Sequence, residues 1–135
     1  MHFTLDDIKK RVDQLALIIN APSDLLPTYG YSRDSAYPHV EVDSSGHMHY
    51  VVVERGQELE RKTTDQLNDL LYWIFTDVTF SMANDFEMKN RIESQDFRRI
   101  LFKKQEELLG ILSEEWQQKE RDAHEKILIN HPFTD

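Results

Sequence analysis

Disulfides are excluded first, because the 135-residue sequence contains no cysteine. With 39% hydrophobic residues, a chain of this length can bury roughly two-thirds of its unfolded surface without such crosslinks. Glycine and proline are also scarce, at four each, and no low-complexity tract indicates a linker. We therefore expect a single domain spanning residues 1–135.

Long apolar runs are missing as well: none approaches the ~20 residues that a membrane-spanning helix needs. The first ten residues, MHFTLDDIKK, carry acids where a secretory signal peptide has a basic segment followed by an apolar one. The lack of cysteine fits a reducing compartment. These features predict a cytoplasmic protein with no membrane partner.

Positive charge is in deficit, with 25 acidic against 16 basic residues and a formal net charge of −9. Nucleic-acid binding depends on lysine and arginine neutralising phosphates, so the charge argues against such a partner. It favours encounters with basic proteins, although plain solubility is the simpler explanation.

Common catalytic motifs are absent too. The sequence has no cysteine nucleophile, no glycine-rich phosphate loop, no G-x-S-x-G turn and no H-E-x-x-H helix. We therefore expect no enzymatic activity and no cofactor.

The patterns that are present predict an α+β fold. Thr4 and Asp7 have a capping-box-like spacing, which predicts the start of an amphipathic helix that Pro22 ends. Residues 21–37 are expected to form an irregular loop. Thr63 and Ser94 are expected to cap two later helices, the second continuing past Trp116 as a charged tail that frays or breaks before a last short helix.

Between these helices the period changes to two, which predicts strands. If residues 44–46 form a three-residue hairpin loop, Val42 faces Met48. A two-residue turn at residues 55–56 then sets Leu59 against Val52 on the apolar face. The expected architecture is a small three-stranded antiparallel meander packed against three main helices.

The other face of the hairpin carries the sharpest chemical candidate. Its nitrogen and oxygen donors are of the types that bind zinc, and they belong to His39, Glu41, Asp43, His47 and His49. This arrangement raises the alternative of a small metal-dependent enzyme or metal-binding module. Polar residues on the outer face of a half-buried sheet explain the same pattern without a metal.

A second candidate lies on the helix after the sheet. Tyr72, Trp73 and Phe80 project away from its main apolar stripe, and Asp69 and Asp77 flank them. Exposed aromatics of this kind form the energetic centres of protein interfaces. Asp69, Trp73 and Asp77 are therefore our candidate partner-binding residues, with burial of the aromatics as the competing interpretation.

Arg98 and Arg99 form a third candidate, at the start of a helix. They could bind a phosphate or carboxylate there. Pairing with nearby acids, such as Asp96, Glu87 or Glu93, is the simpler expectation.

Taken together, several short segments resemble the bacterial immunity protein 63 family. They are residues 54–61 (ERGQELER), Tyr72-Trp73, residues 83–87 (ANDFE), Asn90-Arg91, residues 95–102 (QDFRRILF), Trp116 and residues 130–133 (NHPF). The resemblance spans about two-thirds of the chain, from near His39 to the end, and the first 37 residues add nothing to it. It implies a protein that binds and neutralises a cognate toxin, and it assigns no binding residue, toxin activity or oligomeric state.

Overall fold

The structure, a computed structural model, describes residues 2–135. Within this range the chain forms four α-helices, a short 3-10 helix and four strands. In chain order these are α1 (Leu5–Ile18), the 3-10 helix (Ser23–Leu25), β1 (Thr28–Tyr29), β2 (His39–Val42), β3 (Met48–Glu54), β4 (Gln57–Thr64), α2 (Leu67–Lys89), α3 (Phe97–Leu112) and α4 (Glu114–Asn130). The α+β class is confirmed. The expected architecture of three strands and three main helices is short of the observed four strands and four α-helices.

The strands form a mixed sheet in the order β1-β2-β3-β4. The chain divides into two compact units, one ending at Ile74 and one beginning at Phe75. Helix α2 carries the chain from the first unit into the second. Among the described helices, none is long and apolar enough to cross a membrane.

Helix α1 begins as its sequence predicts. The Thr4 hydroxyl accepts a hydrogen bond from the Asp7 N–H, and the Asp7 carboxylate accepts one from the Thr4 N–H, both at 3.0 Å. This capping box satisfies two backbone donors that a helix start otherwise leaves unpaired. The apolar side of α1, including Ile8, Val12 and Leu15, is buried.

The loop expected at residues 21–37 is partly ordered, so that expectation is wrong in detail. Thr28 and Tyr29 pair in parallel with His39 and Val40. The Gly30 N–H also donates to the Val40 carbonyl at 2.7 Å. A two-residue strand carries no readable alternation, and each of its residues pairs with one eleven positions further along the chain.

The β2–β3 hairpin confirms the predicted register. Val42 pairs with Met48, and the Asp43 N–H donates to the His47 carbonyl at 3.0 Å. Gly46 takes the left-handed conformation with φ of +85°, which glycine adopts without strain.

The β3–β4 hairpin departs from prediction. Val52 pairs with Glu60 rather than Leu59, because a β-bulge between Val52 and Val53 shifts the register by one residue. Leu59 is 58% exposed instead of lying on the apolar face. A bulge adds a residue to one strand and redirects its side chains, which the turn residues alone do not reveal.

Both faces of the sheet are buried near its centre. Val40, Met48 and Tyr50 are buried on the predicted apolar face. His39 and Val51, which pair with each other, are also buried. The expectation of a fully exposed polar face is therefore wrong at His39.

Thr63 does not cap α2, because β4 continues through Thr64. Thr64 instead connects β4 to the start of α2. Its hydroxyl accepts a hydrogen bond from the Gln66 N–H at 3.0 Å and donates one to the Asp69 carboxylate at 2.8 Å.

Asp96, not Ser94, caps α3, and its carboxylate accepts from the Arg98 N–H at 3.0 Å. The predicted long helix ends at Ser113, before Trp116 rather than after it. Ser113 closes α3 and caps α4, with its hydroxyl accepting from the Trp116 N–H at 3.2 Å. A Cβ at Gly110 would overlap the Gln117 side chain, so glycine permits a close approach of α3 and α4.

Candidate functional site

The candidate partner-binding residues follow one side of α2 at intervals of four. Asp69 is partly buried and accepts the Thr64 hydroxyl. Trp73 is half-buried, with the Lys62 ammonium 5.6 Å from its ring centroid. Asp77 is exposed and belongs to the second unit. Of the three side chains, Asp77 alone is fully in the exposed class.

The three aromatic side chains on α2 differ in exposure, so neither burial nor exposure at an interface describes all of them. Tyr72 and Trp73 are half-buried, whereas Phe80 is 48% exposed. Burial therefore explains part of the group, and an exposed apolar contact surface remains at Phe80.

The hairpin candidates form pairs across the sheet. The His39 Nε2 atom lies 2.7 Å from the Glu41 carboxylate, whose other oxygen accepts from Arg61 at 3.1 Å. Arg61 also donates to Glu58 at 2.7 Å. Hydrogen bonds with His39 and then Arg61 outweigh burial and hold the pKa of the Glu41 carboxyl below its usual value.

A second set aligns a hydroxyl, an imidazole and a carboxylate. His49 Nδ1 lies 2.8 Å from the Thr63 hydroxyl, and its Nε2 lies 2.9 Å from the Asp43 carboxylate. Asp43 also accepts the N–H groups of Ser45 and His47, so it shapes the β2–β3 turn. The hydrogen bond with His49, foremost, lowers the pKa of Asp43.

These three groups resemble the order of a hydrolase triad, but a triad also needs oxyanion donors and a cleft. Their contacts already account for a structural role, because they tie the turn to strand β4. Catalysis does not follow from this geometry.

The metal alternative gains no support from the hairpin. Across residues 2–135, no three histidine, cysteine, aspartate or glutamate side chains form a group that could hold a metal ion. His39 and His49 each contact a different carboxylate, and His47 Nδ1 lies 3.8 Å from Asp43.

Arg98 and Arg99 hold the C-terminal segment. Arg98 pairs with Asp96 at 2.9 Å, as expected, and donates to the carbonyls of His131 and Pro132. Arg99 instead pairs with Asp135 at 2.6 Å, a partner that the sequence did not suggest. The hydrogen bond with Arg98, foremost, holds the pKa of the Asp96 carboxyl far below its usual value. Of the other acids considered, Glu87 pairs with Arg91 at 2.7 Å.

Sequence reasoning missed a buried polar cluster that joins α3 to α4. His124 is 4% exposed and its ring stacks on Phe102 with centroids 3.9 Å apart. Its Nδ1 lies 2.6 Å from Glu106, and its Nε2 lies 3.1 Å from both Gln105 and Glu120. Burial lowers the pKa of His124, but hydrogen bonds with Glu120 and Glu106 outweigh it, so the pKa is raised.

One signal for this cluster was available in the sequence. Glu120 and His124 stand four residues apart, the spacing of neighbours on a helix face. Glu106 comes from a different helix, so spacing could not reveal the second carboxylate.

The contacts described above do not identify a family, but comparison of the sequence with protein families does. The model of the immunity protein 63 family matches residues 44–126. This range covers β3, β4, α2, α3 and most of α4, whereas the NHPF segment at residues 130–133 lies beyond it. Comparisons with curated proteins and with solved structures find no match. Because the match covers more than half of the sequence, the chain belongs to the immunity protein 63 family.

Proposed function

We propose that this protein binds a cognate bacterial toxin domain and neutralises it without catalysing a reaction. The observation that carries the proposal is the family match over residues 44–126. His39, His49 and His124 each contact a carboxylate, which is consistent with a structural use of these groups and with a binding role. The cytoplasm, where a self-directed toxin would act, is the proposed location.

The net charge of −9 supports electrostatic attraction to a basic toxin surface. Opposite charges accelerate encounter, and this acceleration falls as salt screens it, whereas dissociation depends mainly on short-range packing. We propose Asp69, Trp73 and Asp77 as part of the contact surface. Asp77 is the most accessible of the three.

The test uses the toxin domain that a neighbouring gene is expected to encode. Converting Asp69 and Asp77 to Lys is expected to slow association and reduce protection of toxin-expressing cells. Because Asp69 also accepts the Thr64 hydroxyl, Asp77→Lys alone serves as a variant that leaves the strand-to-helix junction intact. Circular dichroism checks the fold of each variant.

A matched control separates a local effect from a change in total charge. Asp24 and Glu54 are exposed acids on other elements, and converting both to Lys changes the net charge equally. Slower association only in the α2 variants supports the proposed surface. If the wild-type protein neither binds the toxin nor rescues cells from it, the immunity function itself is refuted.

A further inference from the structure

The second half of α2 exposes two large apolar side chains on one side. Phe80 and Met88 are 48% and 63% exposed, and Asn84 lies midway between them at helical spacing. The Asn84 side-chain amide lies 3.7 Å from the Met88 sulfur. Exposed Asp77 and Asp85 flank these three side chains, and we call the five residues the α2 strip.

Other positions of the same helix segment are already buried. Val78, Thr79 and Ala83 are buried away from Phe80 and Met88, whereas Phe86 on that side is 39% exposed. This half of α2 therefore has a core-facing side and, separately, large apolar groups facing solvent. Single exposed hydrophobic residues need no explanation, but exposed apolar side chains that share one helix face form a candidate interaction surface.

The chemistry of the α2 strip defines the partner surface that fits it. Amphipathic helices bind by placing side chains at helical spacing into an apolar groove. Phenylalanine supplies a rigid anchor, and the unbranched methionine adapts to an irregular wall. Asp77 and Asp85 would face cationic groups at the groove's rim, since the Asp85 pair with Lys89 is largely exposed and can exchange partners.

We propose that the α2 strip is where the toxin docks, through an apolar cleft flanked by lysine or arginine side chains. This inference rests on the proposed immunity function and adds the anchors and the partner chemistry to it. Two points favour the toxin as occupant: the acidic rim complements the basic toxin surface proposed above, and α2 lies wholly within the matched range of residues 44–126.

The first test measures affinity for the co-encoded toxin domain by calorimetry. Replacing Phe80 and Met88 with Ser is expected to weaken binding by roughly 30-fold or more, the scale of an interface hot spot. Leu17→Ser and Ile129→Ser are matched controls, because these side chains are 80% and 77% exposed on α1 and α4. Each control is expected to change affinity less than about threefold, since contacts outside an interface contribute little.

A second test leaves the protein unmodified. In wild-type protein labelled at methionine methyl groups, toxin binding should shift the Met88 signal, while Met48, which is 1% exposed, serves as the internal reference. Unchanged affinity in the double variant together with a static Met88 signal would overturn this surface while leaving the immunity function standing. A wild-type dimer that the double variant loses, with toxin affinity unchanged, would make the strip a self-association surface and also overturn the proposal.

Discussion

Two polar clusters in this protein each combine a histidine with a carboxylate, but they differ in exposure. On the sheet, His49 contacts Asp43 and Thr63 at an accessible hairpin, where the Asp43 side chain is 41% exposed. Between α3 and α4, His124 contacts two carboxylates while its side chain is only 5% exposed. Both are satisfied networks, yet water can replace the lost partners in only one of them.

This difference sets the energetic importance of each cluster. An exposed ion pair is weak, because solvent screens it and rehydrates its members when it breaks. A buried charge that loses its partner keeps its desolvation penalty without compensation. The conspicuous histidine-rich hairpin should therefore matter less to stability than the single inconspicuous histidine on α4.

Removing the buried imidazole should have the largest effect. His124→Ala would leave the buried Glu120 carboxylate and the Gln105 amide without this partner and open a gap beside Phe102. We expect the free energy of unfolding to fall by about 3–5 kcal/mol, as for other buried pairs broken on one side. Urea denaturation measures the change.

Glu125→Ala is the control for that variant. Glu125 lies one residue further along α4 and is exposed, so its loss should change stability by no more than about 0.5 kcal/mol. Equal effects of the two substitutions would show that His124 is not an energetic centre of the α3–α4 contact.

The same cluster predicts a stability that declines on the alkaline side. The pKa of His124 is raised in the folded protein, whereas an unfolded histidine titrates near about 6.5. Its contribution is therefore complete below about pH 6.5 and is lost as pH rises through the folded pKa. The groups facing the ring are Glu106, Glu120 and the Glu106-bound Arg121.

The measurement compares wild type with His124→Gln in urea at several pH values. The stability advantage of the wild type should be greatest near pH 6 and should shrink toward pH 9. An advantage that stays constant, or grows with pH, would mean that the buried ring does not carry the additional proton.

Features fixed by neighbouring residues could be predicted from the sequence, whereas features fixed by distant contacts could not. The β2–β3 register was recoverable because a three-residue loop, Gly46 and strict alternation all act within a few residues. The predicted pairing of Leu59 with Val52 is wrong because the β-bulge lies within the strands and leaves no sign in the turn residues. The α3–α4 boundary was readable in principle, since Ser113 precedes two acids in the first turn of α4.

The candidate surface was only partly accessible to the same reasoning. Helical spacing placed Asp69, Trp73 and Asp77 on one side of α2, but it could not say that Trp73 lies half-buried near Lys62. Exposure depends on what packs against a helix, and this is set by distant parts of the chain. The exposure of Met88 could not be predicted from the sequence, because a methionine near a helix end can be either buried or exposed.

A small effect is expected at the hairpin. Changing His47 and His49 together to Gln removes their contacts with Asp43, whose side chain is 41% exposed and can be hydrated by water instead. We expect the free energy of unfolding to change by about 0.5 kcal/mol or less, and protection against the toxin to persist. Stoichiometric zinc in untagged wild-type protein, lost in this variant, would contradict the structural role and revive the metal-binding alternative.

The smallest expected difference concerns the two units, which we propose unfold together as one domain. Trp73 lies in the first unit and Trp116 in the second, and these are the chain's two tryptophans. Trp116→Phe and Trp73→Phe therefore each leave one fluorescent reporter, specific to one unit. Within each variant, tryptophan fluorescence and far-ultraviolet circular dichroism should give the same urea midpoint, because a cooperative domain unfolds in a single transition. A reporter that melts at lower urea than the helical signal of the same variant would show that its unit unfolds independently, and the buried and exposed clusters would then belong to separately stable parts of the chain.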